Sequence, residues 1–406
     1  MTSNKQQGPH PHDSPRFGVI ALAFSHGAND MYMGFLPALL PLIILNLNLD
    51  YKSAGVLVSI VTITSQFSQP LFGFIGDRVN RRVIAVAAPS ITALSLAFLG
   101  FAQSYSALVT LLVIGSIATA AFHPQGAALI RAVARRRPGL AMASFTAGGN
   151  IGYGVGSLLI AAIVSHLGYN RTWLTLPIGL ASSAFLIRIV PASVEAIHRQ
   201  SLEQVPHGPE HWRRSLTILY FVVMLRAATA TVFTTFVPVL IEHRSKTLIL
   251  GGWALLGFTL AGAVGGFIGG QLSENFGRRA VTAMSLTLTG PALFLFLHTS
   301  GFVSAFMLLI TGMLLFAALP INIVMAQELL PRHASTVSGI IMGLAWGIGG
   351  VAAVAVGTLA DQWTSVYGQT SALARAIDFS TILPLTAGLL AILLPSRRAP
   401  ERGTTH

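Results

Sequence analysis

Three polar side chains stand at helical spacing within an otherwise apolar stretch near the start of the chain. His26, Asn29 and Asp30 follow an i, i+3, i+4 pattern, so a helix would carry them on one face. A carboxyl group can exchange a proton when its surroundings change, and an imidazole titrates near neutral pH. We therefore predict that Asp30 carries a coupling proton and that His26 shares this role.

Another histidine stands inside a later apolar stretch. His123 precedes Pro124, and the small hydroxyl residues Ser116 and Thr119 share its helical face. We predict His123 as a further proton-coupling residue, because an imidazole can relay protons near neutral pH. A hydrogen-bonded histidine that only packs between helices is the alternative.

Asp30 and Arg226 are the formally charged residues that lie well inside apolar stretches, where either costs about 2.5 to 3.5 kcal/mol. Such groups tend to face the interior of a helix bundle. A guanidinium can bind a carboxylate or phosphonate through two parallel hydrogen bonds, so we predict Arg226 as the substrate anchor. A static ion pair between Asp30 and Arg226 that only orders the protein is the alternative. Weaker candidates for substrate contact, which could instead hold helices together, are Asn29, Gln66, Asn150, Asn322 and Trp346.

Membrane-spanning helices must position these residues, because the composition is unsuited to water. The chain has 406 residues, 53% hydrophobic and 9% charged, whereas soluble proteins carry about 25% charged residues. Apolar stretches of about 20 residues, long enough to cross a bilayer, recur along nearly the whole chain. They predict an all-α integral membrane protein with twelve transmembrane helices, near residues 17–45, 54–76, 83–101, 106–130, 140–164, 172–191, 215–241, 248–272, 280–298, 303–326, 337–360 and 378–394.

The basic residues are distributed unevenly between the loops on the two sides. With a cytoplasmic N-terminus, 19 of the 25 Lys and Arg fall on the inner side. This asymmetry follows the positive-inside rule, so the net charge of +12 reflects topology and contact with anionic lipids rather than nucleic-acid binding. We predict an inner-membrane protein with both termini in the cytoplasm.

The chain also contains an internal repeat. Pro37 corresponds to Pro238, and Asp77 to Glu274, at offsets of 201 and 197 residues. The longest polar interruption falls between the two copies. The predicted organisation is a cytoplasmic tail over 1–16, a six-helix half over 17–191, a cytoplasmic linker over 192–214, a second six-helix half over 215–394 and a tail over 395–406.

A motif of glycine, acidic and arginine residues follows the second predicted helix. The run GFIGDRVNRR from Gly73 to Arg82 resembles the loop motif between helices 2 and 3 of the major facilitator superfamily, and a degenerate copy follows the eighth helix. Members of this superfamily are built from two six-helix halves. Asn80 and Glu274 depart from the usual Gly and Asp, which predicts a weaker second copy. The resemblance implies a conformational latch formed by Gly73, Asp77, Arg78, Arg81, Arg82, Glu274 and Arg278.

Further stretches resemble the fosmidomycin-resistance branch of that superfamily. They are SHGANDM (25–31), FHP (122–124), GGNIG (148–152), AQELLP (326–331) and VSG (337–339). The resemblance implies proton-driven export of a phosphonate antibiotic and other small compounds. Antiporters of the superfamily carry Gly-Pro in the fifth helix, where this chain has Gly156 and Ser157, so that motif gives no support to antiport.

Export of a small anionic or amphiphilic compound is the leading interpretation, and an importer with the same fold is the nearest alternative. A membrane-embedded enzyme is a distant one, since the chain has no HExxH pair, P-loop or nucleophile elbow. The chain also has no cysteine, which excludes thiolate metal sites and disulfides. We expect no cofactor or metal, a proton gradient as the energy source, and a monomer whose partners are a small-molecule substrate and membrane lipids.

Overall fold

The computed structural model of this chain describes residues 15–76, 81–133, 138–189, 212–330, 337 and 340–395. Within these ranges, every regular element is helical. Most of the predicted linker and most of both predicted tails lie outside the described residues, and the last three linker residues, 212–214, belong to a helix.

Six helices form the first half, and polar links separate them. Their bounds are: α1, Pro15–Asp30 continued by a tight turn over Met31–Gly34 and by Phe35–Asn46; α2, Tyr51–Gly76; α3, Arg81–Leu96 with a turn over Leu99–Phe101; α4, Tyr105–Val133; α5, Pro138–Leu167; and α6, a turn over Tyr169–Thr175 with Leu176–Ile189.

Six helices likewise form the second half. Their bounds are: α7, Trp212–Ser245; α8, Leu248–Phe276; α9, Arg278–His298; α10, Gly301–Leu329; α11, a wide turn over Ile340–Leu344 continued by Ala345–Gly350 and Ala352–Tyr367; and α12, Gln369–Phe379 with Ile382–Ala391.

The prediction of an all-α protein with twelve membrane crossings is confirmed. Eleven helical segments of the described chain are long and apolar enough to cross a membrane. The interrupted helix α11 supplies the remaining crossing. Its wide turn over Ile340–Leu344 is a π-type winding, which is found frequently at functional sites.

The predicted ends of the last two helices were wrong. Helix α11 continues to Tyr367 instead of ending at residue 360, and α12 begins at Gln369 instead of residue 378. Polar residues suggested a long loop there, whereas the structure turns sharply at Gly368. Its φ of +74° is in the left-handed region that favours glycine and ends a helix.

Glycines bring α1 and α5 into close contact, because Gly148, Gly152 and Gly156 stand at four-residue spacing and form a stripe on α5. At Gly148, Gly152 and Gly156, an added Cβ would meet main-chain carbonyl oxygens of α1. Small residues at this spacing let two helix backbones approach within a membrane. The contact holds the polar face of α1 against α5.

The two halves meet along the pairs α2/α11 and α5/α8. Gly55 lies against Ala353 of α11, and Gly252 of α8 lies against Leu158 of α5. Since successive crossings alternate in direction, the links near residues 46–51, 101–105, 167–169, 245–248, 298–301 and 367–369 share one face, which we call the predicted outer face. These inter-half contacts lie toward the predicted outer face.

Candidate functional site

The two predicted proton-coupling histidines converge on Asp30. Nε2 of His26 lies 3.1 Å from one carboxylate oxygen of Asp30. Nε2 of His123, on α4, lies 3.3 Å from the other oxygen, and the side chains of His123 and Asp30 are 24% and 16% exposed. We call these three residues the Asp30 cluster. His123 and Asp30 are therefore partly accessible in this conformation.

A main-chain hydrogen bond fixes the orientation of the His26 ring. Nδ1 lies 2.7 Å from the carbonyl oxygen of Phe145 on α5. A carbonyl only accepts, so Nδ1 carries a hydrogen, and Nε2 of a neutral ring would be an acceptor facing a second acceptor on Asp30. The approach of Nε2 to the carboxylate is therefore favourable when one proton lies between them. The geometry creates a place for an exchangeable proton.

Aromatic rings line one side of the Asp30 cluster. The His26 ring stacks on Phe145 with centroids 4.0 Å apart, and Phe122 lies 5.9 Å away on a nearly parallel plane. Low polarity strengthens the attraction between an imidazolium and a carboxylate. One ring nitrogen of His26, one of His123 and one carboxylate oxygen of Asp30 all lie within 4.8 Å of one another. A small cation also fits this spacing.

Asn29 is occupied by neighbours in the first half. Its amide nitrogen donates to Asp30 at 3.2 Å, and its carbonyl oxygen accepts from the hydroxyl of Thr92 at 3.3 Å. Thr92 in turn lies 3.2 Å from the hydroxyl of Thr119 on α4. Asn29 therefore contacts Asp30 and Thr92 in this structure, and its substrate contact stays a prediction.

Gly149 sets the distance between α5 and the Asp30 cluster. A Cβ at this position would lie 2.6 Å from Cε1 of His26 and 2.8 Å from Oδ2 of Asp30. Both distances are below van der Waals contact, so a side chain here would push the imidazole away from the carboxylate.

If the predicted coupling to protons holds, Gly149→Ala is expected to lower the predicted proton-coupled transport by about tenfold to a hundredfold, because small displacements of reacting groups have effects of this size. Its pH profile should shift as well, which a packing defect alone would not cause. Gly270→Ala on α8 is the matched control, since a Cβ there meets nothing within 4 Å. Flux and pH profile are measured in proteoliposomes with folded protein, and a parent-like profile for Gly149→Ala would contradict the positioning role.

Arg226 lies on α7 and is completely buried. Its guanidinium carbon is 4.8 Å from the ring centre of Trp346, directly after the wide turn of α11. None of its three side-chain nitrogens has a hydrogen-bond partner among the described residues. Arg226 and Trp346 were separate predictions, and the structure brings them together.

The static pair of Asp30 and Arg226 is absent from this conformation. The described partners of Asp30 are His26, His123 and Asn29, and no ion pair within 4.0 Å joins Arg226 to any described acid. A buried guanidinium without a partner among the described residues is costly, so Arg226 is a candidate anion-binding group.

The remaining predicted substrate contacts lie at different places. Gln66 lies on α2 against the glycines before and after Trp346, within a few ångströms of Gly343 and Gly347. Asn322 is buried between α10 and α9, where it accepts from Thr282 at 3.4 Å. Asn150 is half-buried beside Gly149. Gln66 therefore lies beside the part of α11 that carries Trp346.

The predicted latch is only partly described. Asp77 and Arg78 lie outside the described residues, and the side chain of Arg81 is not described either. Arg82 donates to the carbonyl of Ile187 on α6 at 2.6 Å.

Gly73 faces Pro124 of α4 at a distance where an added Cβ would be in ordinary van der Waals contact. In the second copy Arg278 pairs with Glu328 of α10, while Glu274 is exposed.

Sequence reasoning missed Thr92, Gly149 and the carbonyl of Phe145 as parts of the site. Thr92 gives no signal in an apolar stretch, and a main-chain carbonyl gives none anywhere. Gly149 stands beside the glycine stripe but off its four-residue register, and this offset is the signal that could have identified it.

The profile of the Major Facilitator Superfamily matches residues 20–354. The fosmidomycin resistance protein of Escherichia coli K12 is 28% identical over 397 residues, covering 94% of each chain. An uncharacterised MFS-type transporter of Bacillus subtilis, YfnC, is 29% identical over 393 residues, covering 93% of this chain and 92% of its own.

A solved structure shares the fold. The inward-facing, unoccupied form of a bacterial homologue of the human lysosomal transporter Spinster superposes with a TM-score of 0.78. It is 16% identical, and the match covers 95% of this chain and 98% of that one. At this identity the likeness shows the arrangement of the helices.

Proposed function

Because this chain belongs to the major facilitator superfamily, whose members are membrane transporters, we propose that it exports a small anionic or amphiphilic compound in exchange for protons. We place it in the bacterial inner membrane as a monomer with both termini in the cytoplasm. Bacterial relatives and the excess of Lys and Arg on one side support this placement.

The observation that carries the proposal is the separation of two kinds of chemistry between the halves. The Asp30 cluster lies in the first half and offers a place for a proton. Arg226 and Trp346 lie in the second half and offer an unpaired cation beside an aromatic face. An antiporter needs a site for the proton and a site for the substrate. A static ion pair between Asp30 and Arg226 would neutralise both charges and leave neither residue free for these roles.

Arg226 also indicates the substrate class. Its planar fork matches two oxygens of a carboxylate or phosphonate, and Trp346 offers an apolar surface to the rest of the molecule. The guanidinium is covered in this conformation, so the substrate reaches it only when the helices around it move. The wide turn of α11 before Trp346 is where such a movement would be easiest.

In the proposed cycle Asp30 releases its proton toward the cytoplasm, and the anion binds from the same side. The halves then rearrange, the anion leaves on the outer side, and Asp30 takes up a proton there. Protonation changes the charge of the Asp30 cluster, which biases the two conformations of the halves differently. The loop motif from Gly73 to Arg82 acts in this scheme as a cytoplasmic latch.

Import by proton symport is the second candidate, because the same two sites serve either direction. A membrane-embedded enzyme remains the distant alternative, and the family argues against it because its members are transporters. The fosmidomycin resistance protein among the relatives favours export, since resistance follows from removal of a compound.

The first test uses fosmidomycin and a panel of anionic antibiotics. We expect expression to protect a host that lacks its own efflux pumps against at least one of them. Everted vesicles from these cells should then lose their pH gradient when that compound is added, as a fluorescent pH probe reports.

Vesicles without the protein are the control. Increased sensitivity of the expressing cells, with proton movement in the same direction as the compound, would favour import and overturn the proposed direction. No response to any anionic compound would count against the substrate class.

A further inference from the structure

A carboxylate of one half caps a helix of the other half at the predicted outer face. One oxygen of Asp361, on α11, accepts the main-chain N–H of Tyr51 at 2.9 Å. The other oxygen accepts the N–H of Lys52 at 2.7 Å. Both donors are in the first turn of α2, about 310 residues earlier in the chain.

The first N–H groups of a helix have no acceptor within that helix, and its N-terminus carries partial positive charge. Asp50 satisfies one of them locally, because its side chain accepts the N–H of Ser53 at 2.7 Å. Hydrogen bonds from Ser53 hold the pKa of the Asp50 carboxyl below its ordinary value. The N–H groups of Tyr51 and Lys52 remain, and Asp361 accepts both across the interface.

The cap ends a line of contacts between α2 and α11. Gly55 lies against Ala353, and the hydroxyl of Ser59 donates to the carbonyl of Gly350 at 2.9 Å. These contacts involve small or neutral groups. Asp361 adds two charge-assisted hydrogen bonds to the line, and such bonds are about twice as strong as neutral ones.

The repeat shows that this contact is not a shared packing feature of the two halves. Offsets of 197 to 201 residues place Asp361 opposite residues 160–164, IAAIV, which include no acid. The second half therefore has a carboxylate on α11 at a place where the first half has only apolar residues on α5. A contact between halves forms only while the outer ends of α2 and α11 are together.

We propose that Asp361 is an outer latch, which holds the predicted outer face closed by capping α2 and must release it before the protein opens outward. Its two bonds stabilise the closed conformation and are lost in the open one, so they shift the equilibrium between the two. The latch does not depend on which compound is carried or on the direction of transport.

The test uses the absence of native cysteine in this chain. A Ser59→Cys variant places one thiol in the α2/α11 contact, where it is buried while the outer face is closed. A membrane-impermeant maleimide added from the predicted outer side then reports opening through its labelling rate.

Adding Asp361→Asn should raise this labelling rate about tenfold or more. The amide carries no charge and has one accepting oxygen, whereas each of the two N–H groups now has its own carboxylate oxygen. Asp50→Asn is the matched control, because it weakens the cap of the same helix within one half. It should leave the rate near that of the parent.

An unchanged rate for folded Asp361→Asn, or an equal rise for Asp50→Asn, would overturn the outer latch. If Asp361→Asn gives too little protein, Asp361→Ser is measured in the same way and is held to the same outcomes.

Discussion

Asp30→Asn is expected to abolish pH-driven accumulation of substrate while leaving substrate exchange across the membrane in place. An amide imitates the protonated acid in shape and charge but cannot release a proton. Transport driven by a pH gradient should fall to the level of protein-free liposomes. Counterflow of labelled against unlabelled substrate, which needs no proton, should continue.

The geometry of the Asp30 cluster gives the reason for this separation. Asp30 lies between Nε2 atoms of His26 and His123 at 3.1 Å and 3.3 Å, and a proton can lie on either side of it. With asparagine, the side chain can still contact both rings through its oxygen and its amide. The helices α1 and α4 should therefore stay in place.

Asp50→Asn is the matched control, because it makes the same chemical change at an exposed position away from the cluster. Both variants are reconstituted at equal protein content and compared at several pH values. Persistence of full pH-driven flux in Asp30→Asn would remove the coupling role. Flux that requires added zinc rather than a pH gradient would instead show that the cluster binds a cation.

The helices and the face of α1 could be predicted because they depend on local spacing. Apolar length alone gave the twelve crossings, and the i, i+3, i+4 pattern placed His26 and Asp30 together. The meeting of Asp30 with His123 depends on how α1 packs on α4. Spacing along one helix carries no information about that.

The alternative that the sequence left open, a static ion pair between Asp30 and Arg226, shows a different limit. A repeat aligns positions that are equivalent in the two halves, and equivalent positions need not be neighbours. Arg226 instead faces Trp346, which is 120 residues later and on another helix. The end of α11 was also predicted wrongly. Asp361 falls just beyond the predicted end of this helix but inside its observed span.

Arg226→Ala is expected to lower transport of anionic substrates about a hundredfold or more. Two charge-assisted hydrogen bonds contribute about 1.5 to 3 kcal/mol each, and about 1.4 kcal/mol corresponds to a tenfold change. Arg226→Lys should recover only part of this loss, because an ammonium keeps the charge but not the planar fork. Both effects are measured as initial rates of counterflow, which excludes the proton step.

Arg375→Ala is the matched control, because Arg375 lies over the ring of Tyr367 at 4.2 Å near the predicted outer face. It removes a guanidinium from an aromatic ring without touching the proposed binding site, and its transport should equal that of the parent. A loss as large as that of Arg226→Ala would show that removal of any such contact disturbs the protein.

The double variant Asp30→Asn with Arg226→Gln separates binding from a static ion pair in another conformation. If the two residues only neutralise each other, each single change leaves a buried charge and lowers the melting temperature, and the double variant regains stability and activity. If Arg226 binds the anion and Asp30 the proton, the double variant should show neither pH-driven flux nor counterflow. Parent-like transport by the double variant would contradict both roles, because the described partners of the two residues are separate.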